Sequence, residues 1–410
     1  MPSSSFGMRK KRRRKSRADF MVLIITPYLT NTTMGQVTLL KRFMAYFPDD
    51  SCVALTRRGY GAGQIKSRET KCVNENIELL FPRPLGSRWG LDNLFWVISF
   101  MLALAYLPAL WRGVKTKKIS KIFLPTHTSL DLVLAFFLRS VLEVPYVVLH
   151  MDDAWESLSG ACWIEKKITR KFLLSLLSGA QQVFVLNDFM KNPHETRYGR
   201  AIDVLYPPID LSAYDAIVPL PIKRPDEFCI LYTGSIYSAQ WDTMENLGRA
   251  LALIGDKKIA CHVCGCNDAF KRRINELRLA DYFRFLELSP EESIGAQKNA
   301  DLLFLGLAFE SRIQPVINTA FPAKLLEYMA SGRPTLACVP EESFVSFYMR
   351  KHSLSEVLGT NKPECIAKVL QKIKAGKSNF STMCSNARRI VAEQHDEKKL
   401  SQRLWQALAA

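Results

Sequence analysis

At 410 residues the chain is long enough for two or three domains with ample core. Its 48% hydrophobic and 23% charged content is that of a globular protein, while a net charge of +17 and a pI near 9.4 favour anionic partners: nucleic acid, acidic lipid or a phosphorylated substrate. The 10 cysteines follow no regular framework, which argues against a disulfide scaffold and predicts reduced thiols in a cytoplasmic setting.

Residues 1–19 form a polar arm carrying Arg9-Lys10-Lys11-Arg12-Arg13-Arg14-Lys15 and Arg17. It reads either as a solvated tail or as a tether to an anionic membrane surface, where each basic residue contributes about 1 kcal/mol close to the lipid. A short strand-like run follows it in place of an apolar signal core, so no cleavable signal peptide is expected. No nucleic-acid recognition motif accompanies the charge, so nucleic acid is not an expected partner.

Residues 20–25 predict a buried strand, ended by Thr26-Pro27. A polar loop with Thr33 and Gly35 follows, and residues 36–47 predict a helix. Strand, small-residue loop and helix open a doubly wound sheet, where ligands sit beyond the carboxyl ends of strands. Further strands are predicted at 52–56 and 77–81, with a basic loop, 57–68, between them that is either mobile surface or a contact for an anionic acceptor. Residues 93–111 hold 19 positions without a charge, followed by Arg112, Lys115, Lys117 and Lys118. Three readings stand: a half-buried helix of the first domain, a monotopic segment dipping into a membrane face, or a true span.

Residues 121–127 and 144–150 predict two more strands, running into His127 and into His150-Met151-Asp152-Asp153. Ionisable groups just past strand ends are placed where α/β sites form. A carboxylate or histidine there can take a proton from an attacking hydroxyl, or it can be a loop cap or a satisfied histidine. A helix is predicted at 164–177, a strand and turn at 182–190, and a strand at 202–210, with Asp210 read as a turn former.

Pro219, Pro221 and Pro225 mark residues 211–226 as a linker. Residues 229–235 predict a strand ending at Gly234-Ser235, where the backbone can approach a phosphate and donate N–H groups to it. Helix 245–254 follows, then a strand with Cys261, His262, Cys264 and Cys266. Period-2 alternation splits those side chains between two faces, and no second Cys-x-x-Cys pair is present, so a buried strand is expected and no metal. Strands at 283–288 and 300–307, a loop at 308–320 bearing Arg312, and helices at 363–374 and 379–408 complete the pattern.

The most informative stretch is Phe321-Pro322-Ala323-Lys324-Leu325-Leu326-Glu327-Tyr328-Met329-Ala330-Ser331-Gly332-Arg333-Pro334. Pro322 suits the first turn of a helix, Leu325, Leu326 and Met329 supply its buried face, and Gly332 stops it. Lys324 and Glu327 then lie on nearly one face, close to a helix N-terminus that attracts phosphate. The pair reads as a nucleotide-diphosphate cradle, with Glu327 accepting from a ribose diol, or as a solvated helix face.

This stretch resembles the FPxKxxEYxAxGxPxxA donor-site motif of family-4 glycosyltransferases with the GT-B fold. Gly234-Ser235 is similar to the start of that family's C-terminal domain. His150-x-Asp152-Asp153 is similar to its H-x-D/DDW segment, and residues 183–210, with Tyr198-Gly199, to its "vfvlSdxM" and "v.v.pNgvD" elements. The resemblance covers most of residues 20–400. It implies that Glu327 binds the donor ribose and that the Thr33–Gly35 loop faces donor and acceptor. It also implies a metal-independent reaction, usually retaining, without a cofactor. Two departures stand out. Thr319 occupies the place of the first glutamate of the E-x7-E pair, and no Arg/Lys pair follows Gly234-Ser235, which leaves the phosphate charge to Lys324 with Arg312.

The expected architecture is α/β, with two facing Rossmann-like domains: 20–210 on the acceptor side and 227–385 for the nucleotide sugar, with a C-terminal helix at 386–410 crossing back to the first domain. The expected activity is sugar transfer from a nucleotide-diphosphate sugar to a saccharide or lipid-linked acceptor in cell-surface polysaccharide biosynthesis. A base comes from Asp152, Asp153, His150 or His127, and Gly234, Ser235, Arg312, Lys324 and Glu327 bind the donor. The setting is cytoplasmic and peripheral, with an anionic membrane surface as a partner. A nucleotide-sugar 2-epimerase and a non-catalytic nucleotide-sugar binder are the alternatives.

Overall fold

The computed structural model describes residues 20–27, 29, 35–58, 71–80, 92–152, 163–265 and 268–410. The basic arm, Thr33, Asp153, Cys266 and most of the 57–68 loop lie outside them.

Two parallel sheets form. The first holds β1 (Met21–Ile25), β2 (Cys52–Arg58), β3 (Val73–Leu80), β4 (Ile119–Thr126), β5 (Tyr146–His150), β6 (Gln182–Val185) and β7 (Asp203–Val204), in the order β3-β2-β1-β4-β5-β6-β7. The second holds β8 (Phe228–Thr233), β9 (Ile259–Cys264), β10 (Phe283–Leu286), β11 (Leu302–Gly306), β12 (Thr335–Cys338) and β13 (Glu356–Leu358), in the order β10-β9-β8-β11-β12-β13. Parallel strands need helical crossovers, which cover both sheet faces and bury the strands on both sides. All six residues of β9 are buried for that reason, as expected of a buried strand, with Cys261 and His262 on opposite faces that are both covered. Strand order reverses between β1 and β4, and again between β8 and β11. Ligand crevices open at such switch points.

Several elements depart from the sequence expectation. The predicted strand at 182–190 is the short β6, followed by a helix, Asp188–Tyr198, that starts at an Asn187 cap. The expected 202–210 strand shrinks to two residues, because Pro207 and Pro208 cannot donate to a ladder. Arg57 belongs to β2 and is buried against Asp131 at 3.4 Å and Thr128 Oγ1 at 2.6 Å, so it is not a loop residue reaching for an acceptor. The predicted helix at 379–408 is two helices, Phe380–Gln394 and Glu397–Ala409. The first packs Ala387, Ile390 and Val391 into the second domain, and the second packs Leu404, Ala407 and Leu408 into the core of the first. The chain changes domain at His395-Asp396, where Ile209 N donates to His395 O at 2.9 Å and the His395 ring bonds Pro207 O at 2.6 Å and the Tyr348 hydroxyl at 2.9 Å.

The apolar 93–111 segment is a helix, Asp92–Lys115, long and apolar enough to cross a membrane by length and composition. One side buries Trp96, Ala103, Leu110 and Val114 in the first domain. The other exposes Leu94, Ile98, Met101 and Trp111.

Candidate functional site

The second domain forms one wall. Strand β8 delivers the chain to Gly234, whose φ of +101° suits glycine and strains any other residue. A Cβ placed there would lie 3.8 Å from Lys324 Nζ, so the turn and the lysine adjoin. Lys324 comes from the helix Ala323–Ser331, where Pro322 is the cap residue itself, one position earlier than a first-turn proline. Tyr328, one turn on, accepts from Thr233 N at 2.9 Å and so docks the helix against the end of β8. The Lys324 ammonium bonds the Tyr232 hydroxyl and lies 3.9 Å from the centre of that ring. Burial pulls its pKa down to about 7, with Glu327 opposing. An anion beside the ammonium would oppose that shift. Ser235 is exposed beside Gly234, and its carbonyl accepts from the Tyr232 hydroxyl at 3.0 Å.

The first domain forms the facing wall. His127 follows β4 directly, and Asp152 stands two residues past β5. A residue that the sequence did not single out joins them. The carboxamide of Gln36, in the first turn of the helix Gly35–Phe43, donates to Asp152 Oδ2 and places Oε1 3.0 Å from His127 Nδ1. Burial and the Arg57 charge hold His127 neutral, with a pKa near 3. Asp152 is also close enough to the exposed Tyr237, in the turn after Gly234, to raise its pKa together with burial.

His150 goes elsewhere. It is fully buried, 3.1 Å from Thr126 Oγ1 and 5.1 Å between ring centres from His194, and burial pushes its pKa well down. Its place is inside the first domain, away from the cleft. Asp210 caps the helix Leu211–Ala216 by accepting from Ser212 N, Ser212 Oγ and Ala213 N, as a turn former does. Arg312 is exposed in the loop before the helix Gln314–Thr319 and makes no ion pair among the described residues.

The domains also meet helix to helix. Gly35 lies so close to Ala323 that a Cβ on it would stand 3.7 Å from the alanine's own. Two turns along the first helix, Arg42 pairs with Glu327 at 3.1 Å, both half-buried. Glu397, from the returning C-terminal helix, is raised to about 7 by burial, with Arg42 opposing. At the position of the absent first glutamate, the Thr319 carbonyl accepts from the buried Asn187 side chain of the first domain at 2.7 Å. Residue type alone did not mark Gln36, Arg42 or Asn187. Their partners are 116, 285 and 132 positions away in sequence.

Among the described residues no group of three or more His, Cys, Asp or Glu side chains could hold a metal. No protein-family model matches the chain, and no curated protein matches it by sequence. Solved structures do. HepE of Anabaena, in complex with UDP and glucose, superposes with a TM-score of 0.68 at 15% identity, over 95% of this chain and 99% of that one. Sucrose-phosphate synthase of Thermosynechococcus elongatus gives 0.68 at 16%, over 94% and 97%. WaaG, a glycosyltransferase of lipopolysaccharide biosynthesis, gives 0.63 at 13%, over 95% and 100%. With two parallel Rossmann-like sheets facing across a cleft and helices at the C-terminus, the chain has the GT-B glycosyltransferase fold.

Proposed function

We propose that the protein is a glycosyltransferase that moves a sugar from a nucleotide-diphosphate sugar to a saccharide or lipid-linked acceptor. The reading rests above all on Lys324 standing under the Gly234 turn at the β8–β11 switch point. The diphosphate lies over that turn, near the N-terminus of Ala323–Ser331, and Lys324 neutralises it as it leaves. Glu327 accepts from the ribose diol, its carboxylate retaining lone pairs beyond the one that Arg42 engages. For retention the acceptor hydroxyl attacks the anomeric carbon on the face from which the diphosphate departs, the anomeric C–O(phosphate) bond breaking as the new C–O bond forms, and Asp152, on the facing wall, takes the hydroxyl proton. HepE has been solved with UDP-glucose, which supports a UDP-sugar as the first donor to try. The reaction is metal-independent and retaining, and it serves cell-surface polysaccharide synthesis.

The acceptor side faces lipid in this reading. Leu94, Ile98 and Met101 make an exposed apolar stripe at helical spacing, with Trp111 and the cations Arg112, Lys115, Lys117 and Lys118 at its end. Such a face suits the boundary of an anionic bilayer. The protein is then peripheral at the cytoplasmic side of a membrane.

Thr319 at the place of the first glutamate favours one other reading, a nucleotide-sugar binder without turnover. A thermal-shift screen against UDP-, GDP-, ADP- and dTDP-sugars, with and without EDTA, followed by a release assay for free nucleotide, tests both. A shift that survives EDTA together with acceptor-dependent release supports transfer. A shift without release supports the binder, and isomerised donor without acceptor supports an epimerase. No shift with any nucleotide sugar refutes the donor site.

A further inference from the structure

We propose that Gln36 is a positioning residue that ties His127 and Asp152 into one unit and holds His127 in the tautomer with its proton on Nδ1. The three residues come from the starts of three crossovers, after β1, β4 and β5, and meet through one carboxamide. The direction of each bond follows from chemistry. An ionised carboxylate only accepts, so the amide nitrogen of Gln36 faces Asp152. That leaves the amide oxygen toward His127 Nδ1, at 3.0 Å. The oxygen also only accepts, so Nδ1 carries the hydrogen and the ring's lone pair is on Nε2. Burial and Arg57 keep the ring uncharged at neutral pH, so this tautomer is the one present there.

The arrangement gives the cleft wall two fixed groups. His127 is held in one tautomer with Nε2 buried inside the wall, and Asp152 has one oxygen occupied by the amide. Under the transfer reading given above, on which only the kinetic half of this inference rests, a substrate hydroxyl meets an Asp152 carboxylate whose orientation is already set. Replacing Gln36 by methionine keeps the side-chain length and removes both hydrogen bonds. The bonds from Gln36 then no longer set the orientation of Asp152 or the nitrogen that carries the His127 proton.

The tautomer is directly readable. Long-range proton–nitrogen spectra of the full chain labelled with 15N-histidine report it for each of the 6 histidines, and His127→Asn assigns the ring in question. The expected result at pH 7 is an Nδ1–H tautomer for His127 in the wild-type chain and loss of that pattern in Gln36→Met, with the other rings unchanged. In transfer assays, Gln36→Met is expected to lower kcat about tenfold or more while the donor KM stays within about twofold, the split expected when a proton-handling group is misplaced but donor binding is intact. An Nε2–H tautomer in the wild-type chain overturns the proposal, and so does an unchanged His127 pattern or an unchanged kcat in folded Gln36→Met. The wild-type tautomer decides the matter even when the variant fails to fold. Absence of turnover with every donor bears on the transfer reading alone, because the spectra need no turnover.

Discussion

If Lys324 stands against the donor diphosphate, as proposed, donor binding is a proton-linked event whose sign and size follow from the surroundings of the lysine. Burial lowers its pKa from 10.5 to about 7. Near neutral pH about half of the empty protein carries the charge there, and at pH 9 about one molecule in a hundred does. A bound diphosphate favours the ammonium, so above pH 7 binding takes up a proton. Affinity for a nucleotide sugar is therefore expected to fall roughly fiftyfold between pH 7 and pH 9, about 2.3 kcal/mol. The diphosphate of a nucleotide sugar is a diester and does not titrate in this range, so the proton comes from the protein side. Isothermal titration at pH 7, 8 and 9, in two buffers of different ionisation enthalpy, measures both the affinity and the proton count. Lys324→Met is expected to bind weakly with a flat profile. Stability of the empty protein moves the other way. Between pH 7 and 10.5 the unfolded chain holds more protons at this lysine than the folded one, so this contribution to stability rises with pH across that window. A flat affinity profile in the wild-type chain, or the same slope in Lys324→Met, refutes the placement of Lys324 against the diphosphate.

Other residues carry separate expectations. Glu327→Gln should weaken nucleotide-sugar binding by about 1–3 kcal/mol if the carboxylate accepts from the ribose, and unchanged affinity in a folded variant removes that role. Gly234→Ala forces a φ of +101° on a residue with a Cβ and is expected to cost about 1–3 kcal/mol, read as a fall in the urea midpoint. Asn187→Ala loses the cap bond to Met190 N and the bond to the Thr319 carbonyl, so a loss of about 1–2 kcal/mol is expected in chemical unfolding. Replacing Leu94, Ile98 and Met101 together by serine should reduce sedimentation with anionic vesicles without moving the melting temperature, since all three are exposed. Unchanged sedimentation would assign vesicle binding elsewhere.

The cross-domain contacts give the donor helix two masters. Glu327 points to Arg42 of the first domain, while Lys324, one turn earlier, belongs to the Gly234 turn of its own domain. A half-buried pair of this kind contributes on the order of 1 kcal/mol. The Asn187–Thr319 bond and the His395-Asp396 crossover hold the domains where those contacts can form.

Local chemistry alone determined most of the frame. Apolar runs of strand length marked eleven of the strands near their observed places, because a parallel strand is buried on both faces and reads as a continuous run. The capped helix around Lys324 and Glu327 was legible because Pro322, the leucines and Gly332 encode its start, face and stop within a dozen residues. The break at His395-Asp396 falls inside the single helix expected at 379–408; Asp396 caps the second helix by accepting from Lys399 N at 2.8 Å, and the pairing with Ile209 fixes the chain there. His150 and His127 looked alike as histidines at strand ends. The difference between them is tertiary: the helix Asp188–Tyr198 covers one, and the other reaches Gln36. The site is assembled by two sheets that bring the ends of β1, β4, β5 and β8 to one cleft. Partners more than a hundred residues apart leave no periodic signature in a chain, so Gln36 and Arg42 acquired their meaning only from the fold.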